Sequence, residues 1–182
     1  MEECKEIVAN SKNDIVEKID SLTGENYIKY KIKSNDLCFD IIIEKLKCKV
    51  FGGAYMVLDN DVKVHILNIK QIWKDVSIPT KLLDYYIALL EKASNETEVF
   101  YIYLLMKTQL MAGDIISIEK KGVDLKKAII MEPTSKFNGQ IVYKLIKKNG
   151  EVGEREYLLY SKSDSFNYRC GSREYVDYEL LK

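Results

Sequence analysis

The chain carries one histidine in 182 residues, His65. Imidazole is the side chain best placed to accept a proton near neutral pH. It lies in VKVHILN, where apolar and polar residues alternate as in a strand, and an ordinary solvated or locally satisfied strand histidine is the alternative use. The four cysteines, Cys4, Cys38, Cys48 and Cys170, are widely spaced and form no CxxC. With a single histidine they make no zinc cluster, so no metal is expected and reduced thiols are. Cys170 stands near Arg169 and Arg173, cationic neighbours of the kind that activate a thiolate, but no base accompanies it and a structural role is expected. Lys29-Lys31-Lys33 and Lys45-Lys47-Lys49 alternate with other residues and read as solvated faces of edge strands. Near the end, Phe166, Tyr168, Arg169, Arg173, Tyr175 and Tyr178 mix with Glu174, Asp177 and Glu179. Tyrosine and arginine in that company suit recognition of a protein partner better than binding of phosphate.

Charge limits the partners. The 28 Lys and Arg balance 28 Asp and Glu, and the sequence pI is about 6.6. A neutral surface gives nucleic-acid phosphates little to bind, so no nucleic-acid partner is expected. Only three of the cations are arginine, Arg155, Arg169 and Arg173, and all lie late in the chain. The start, MEECKEIVANSKNDIVEKIDSL, lacks the apolar core of a signal peptide. No run approaches the 18 or so apolar residues that a membrane helix needs, so the expectation is a cytoplasmic protein with no membrane partner.

The elements that must position these residues follow from hydrophobic period. Ile7, Val8, Ile15, Ile19 and Leu22 have helical spacing, ended by Thr23-Gly24. From Tyr27 the period is two, predicting strands at Tyr27–Lys33, Leu37–Ile43 and Leu46–Phe51, then a hairpin of Ala54–Leu58 with Val62–Ile69. Pro79 opens a helix whose apolar face is Leu82, Leu83, Tyr86, Ile87, Leu89, Leu90 and Ala93. Val99–Leu104 is nearly unbroken apolar sequence and reads as a strand buried on both faces, completing a βαβ-like crossover. A short helix near Leu105–Ala112, a strand at Ile115–Glu119, and a hairpin of Ile141–Ile146 with Glu156–Tyr160 about Lys148-Asn149-Gly150 follow.

This order resembles the GNAT acyltransferase superfamily, most closely over YMVLDNDVKVHILNIKQIWKDVSIPTKLLDYYIALLEKA, residues 55–93, and more weakly over TQLMAGDIISIEKKG, residues 108–122. Trp73-Lys74 falls at the family's aromatic-basic turn and Thr80-Lys81-Leu82-Leu83-Asp84-Tyr85-Tyr86 at its helix start. The resemblance implies an α/β (or α+β) domain over residues 1–148, with a largely antiparallel mixed sheet flanked by helices, and a C-terminal hairpin and tail over 149–182. It implies an acyl-CoA-dependent N-acyltransferase, using acetyl-CoA or another acyl-CoA on a small-molecule or peptide amine. His65 would be the base, the backbone near Ile69 would polarise the thioester carbonyl, and Lys74, Ser77 and Thr80 would meet the pyrophosphate at a helix N-terminus. The family's glycines are missing from Lys74-Asp75-Val76-Ser77-Ile78-Pro79, and Gln109 stands where a tyrosine acid often does. The degenerate loop keeps a second function class open: a catalytically silent GNAT-like module that binds a protein partner through the Tyr/Arg segment, or another ligand, with no cofactor.

Overall fold

The computed structural model describes residues 5–23, 26–34, 37–45, 49–51, 54–56, 61–68, 71–120, 123–159 and 177–180. They form a mixed α+β chain in two compact units, Met1–Gln109 and Leu110–Lys182. The boundary expected at residue 148 falls in the turn between two paired strands of the second unit.

The first unit opens with β1 (Lys5–Ala9) and α1 (Lys12–Ile19) where one long helix was expected. Asn10-Ser11 separates them: the Ser11 hydroxyl accepts the Asp14 N–H at 3.2 Å, starting the helix there. The β-branched Ile7-Val8 pair goes instead into a strand that runs parallel to β2 (Asn26–Ser34). Then β3 (Leu37–Lys45), β6 (Asp61–Asn68) and β7 (Gln71–Pro79) continue the sheet antiparallel, in the order β1-β2-β3-β6-β7. The short strands β4 (Lys49–Phe51) and β5 (Ala54–Met56) pair with each other, and β6 pairs with β3. The expected hairpin of 54–58 with 62–69 is therefore replaced by an excursion between two neighbouring strands.

Helix α2 (Thr80–Lys92) buries Leu83, Tyr86, Ile87 and Leu90, the spacing read from sequence. The next segment corrects the reading. Val99–Leu104 belongs to α3 (Glu96–Thr108), not to a strand, and no βαβ crossover forms there. An apolar run this continuous has no period to read, and its cap decides. The Asn95 side chain accepts the Glu98 N–H at 3.0 Å, and the Glu98 carboxylate accepts the Ser94 N–H at 2.8 Å. The short helix expected at Leu105–Ala112 is the end of α3, closed by Gln109 in the left-handed region at φ 57°.

The helices pack on one face of the sheet. That face is built from Ile28 and Ile32 of β2, Phe39, Ile41 and Ile43 of β3, Val62, Val64 and Ile66 of β6, and Val76 and Ile78 of β7, all buried. The buried Tyr86 hydroxyl ties α2 to α3 by donating to the Leu105 carbonyl at 3.2 Å.

The second unit is a sheet in the order β11-β10-β9-β8-β12, from β8 (Ile115–Lys120), β9 (Val123–Ile130), β10 (Val142–Ile146), β11 (Val152–Leu158) and β12 (Asp177–Leu180). The late hairpin forms as expected, with Gly150 at φ 87° in its turn and its N–H donating to the Lys147 carbonyl at 2.9 Å. Ile116, Ile118, Ala128, Ile130, Ile141 and Tyr143 are buried in its core. Tyr143 stacks on Tyr157 at 5.4 Å, with the Arg155 guanidinium 5.1 Å from the outer ring.

Candidate functional site

The sheet face away from the helices carries the polar alternates of the same strands, and strand register sets them in rows. One row runs Val8, Lys29, Ile42, His65, Asp75; a second runs Glu6, Tyr27, Glu44, Lys63, Ser77; a third runs Lys31, Asp40, Leu67. Cations and anions alternate across these rows. Lys29 reaches Glu6 at 4.0 Å and Asp40 at 3.8 Å, Lys63 reaches Asp75 at 3.8 Å, and the Tyr27 hydroxyl donates to Glu6 at 3.2 Å.

His65 lies on this face, opposite Ile42 and diagonal to Glu44 and Asp40. Its Nε2 is 2.9 Å from Glu44 Oε1, and its side chain is 13% exposed. Glu44 engages Nε2, so Nδ1 is the ring nitrogen left for a second partner. Nδ1 is shielded from solvent and lacks a hydrogen-bond partner among the described residues. The dyad is well held, but neither nitrogen is open to a substrate amine: Glu44 occupies one and the fold covers the other.

The residues that the resemblance assigns to the pyrophosphate do not converge. Lys74, Ser77 and Pro79 lie in β7, paired with Ile66, Lys63 and Asp61 of β6. Successive N–H groups of an extended strand point to opposite edges, so this segment cannot curl its donors around one phosphate. Ser77 shares the helix-free face with His65, whereas Lys74 points the other way, with Nζ 5.3 Å from the Phe100 ring centre and 5.4 Å from that of Tyr103 on α3. Thr80 begins α2, behind Pro79, which offers no side-chain cap. Ile69 lies outside the described residues, as does most of the Tyr/Arg segment, residues 160–176.

Sequence reasoning did not find Glu44, 21 residues from His65, because only the β3–β6 register brings the two together. Lys29-Lys31-Lys33 was expected on an edge strand; β2 is interior, flanked by β1 up to Tyr30 and by β3 throughout. Beyond Tyr30 no described residue pairs with β2 on its β1 side, and a cavity of about 440 Å³ is lined there by residues that include Glu6, Val8, Lys29, Lys31, Lys33 and Asp40. Among the described residues no cluster of His, Cys, Asp or Glu is arranged to hold a metal, and no helix is long and apolar enough to cross a membrane. Comparison with family models, curated proteins and solved structures found no match to this chain.

Proposed function

We propose that this chain acts by binding rather than by acyl transfer, with the helix-free face of its first sheet as the binding surface. The observation that carries this reading is β7. The residues that would cradle a CoA pyrophosphate are a strand laddered to β6 and anchored through Lys74 to α3. A phosphate cradle needs consecutive donors on one side, which an extended strand does not supply. The polar face that His65 shares with Glu44, Lys63 and Asp75 is instead a fixed array of charges of both signs, suited to a ligand of defined charge pattern rather than to a polyanion.

The competing reading is acyl-CoA-dependent transfer to an amine. It draws on the Glu44–His65 pair, since a carboxylate that orients imidazole is a common support for a general base. Thermal unfolding in millimolar CoA or acetyl-CoA separates the two. A ligand at a hundredfold its dissociation constant stabilises a fold by about 2.7 kcal/mol. The binding reading expects no shift; a saturable shift with either compound would overturn it. His65→Ala should then lower transfer and leave CoA binding intact.

A further inference from the structure

The cavity beside the end of β1 has a charge pattern that the ion pairs do not close. Its lining holds three lysines, Lys29, Lys31 and Lys33, and two carboxylates, Glu6 and Asp40. Both carboxylates lean on Lys29, at 4.0 and 3.8 Å, the outer limit of an ion pair. Lys31 and Lys33 have no carboxylate within ion-pair distance among the described residues, and both are exposed. Asp40 uses Oδ2 towards Lys29, while its Oδ1 is shielded from solvent with no donor among the described residues. An unmade bond at a charged oxygen costs more than at a neutral one.

Register places these groups together. Lys31 and Asp40 are direct ladder partners, so their Cβ atoms lie about 5 Å apart on one face. Lys33 is two residues further along β2 on the same face, about 7 Å away. Val8, 56% exposed, adds an apolar wall. Two ammonium groups beside a part-exposed carboxylate match an acid that carries a hydrogen-bond donor next to its acid group. A volume of about 440 Å³ admits a small metabolite.

We propose that this cavity binds a small organic acid bearing a hydroxyl or amino group beside its carboxylate. The acid group sits on Lys31 and Lys33, and the adjacent donor reaches the part-exposed carboxylate of Asp40 beside Lys29. The proposal rests on the binding reading of the helix-free face and names the ligand class at one end of it.

The test uses the full chain and matched probes. Succinate and malate differ only by one hydroxyl, and aspartate places an amino group there; each is titrated by calorimetry to ten millimolar, about the affinity range of a small fragment. Malate or aspartate should bind about tenfold more tightly than succinate, a difference of about 1.4 kcal/mol. Replacing both exposed lysines, Lys31→Ser with Lys33→Ser, should abolish binding of all three while the melting temperature holds. Asp40→Ala should erase the preference for malate over succinate and keep the residual affinity. Equal affinities, binding that survives loss of both lysines, or no binding by any probe would overturn the assignment. If CoA is silent and the acids fail, only the ligand class falls. If CoA binds and is turned over, the binding reading falls regardless of the acids.

Discussion

Replacing Lys74 by Met keeps a long flexible stem in place and removes the charge above two rings of α3. The ammonium lies 5.3 Å from the Phe100 centre and 5.4 Å from the Tyr103 centre. Both are inside the range of about 6 Å for attraction to a ring face, worth roughly 0.5–1 kcal/mol per ring where solvent reaches the cation. Lys74 is half-buried, so Lys74→Met should cost about 1–2 kcal/mol. With a urea dependence of about 2 kcal/mol per molar, the unfolding midpoint should fall by about 0.5–1 M. Urea titration followed by fluorescence of Trp73, the single tryptophan and the neighbour of Lys74, reads this directly. Phe100→Leu in the Lys74→Met background should cost less than in the parent, because the two changes remove one shared contact. The expected outcome separates an anchor from a ligand: loss of a phosphate-binding lysine would leave the ligand-free protein as stable as before and remove any stabilisation by CoA. A Lys74→Met protein no less stable than its parent would falsify the anchoring role, and with it the argument that β7 is locked as a strand.

Two further outcomes test the elements around the site. Asn95→Ala removes the acceptor that starts α3 and should destabilise the protein by about 1 kcal/mol; an unchanged thermal midpoint would show that the cap is redundant. Tyr30, whose hydroxyl donates to Glu91 on α2, is pushed up to about 12 from 10.0, chiefly by burial and secondarily by Glu91. Between those values the unfolded chain releases a proton that the fold retains, so stability is full below pH 10 and is lost as pH rises towards 12. Two units correspond to about 2.7 kcal/mol, which partial solvent exposure reduces to on the order of 1 kcal/mol. The measurement is the difference between parent and Tyr30→Phe. Identical pH slopes would refute the assignment.

What could be read in advance was local. Leu83, Tyr86, Ile87 and Leu90 share one helical face and were found there, and the Asn149-Gly150 turn specified its hairpin. What failed was either aperiodic or non-local. Val99–Leu104 satisfies strand and helix alike, and its fate rests on Asn95 and Glu98. In β7 the alternation of buried Val76 and Ile78 with Asp75 and Ser77 was present in the sequence, but the resemblance drew those residues into a loop. The partners of His65 and Lys29 come from other strands, and no spacing along the chain encodes a register across it.

The excursion between β3 and β6 has a consequence for how the chain tolerates change. Lys45 and Val62 are ladder partners, and the whole β4–β5 pair is strung between them. The sheet is therefore continuous with or without that pair, and the entropy of closing the loop grows only by about 0.6 kcal/mol for each doubling of its length. A length difference confined there would leave every row of the helix-free face in place. It is the position at which a reporter domain can be spliced into the first unit, or at which relatives can diverge, without moving one charge of the array.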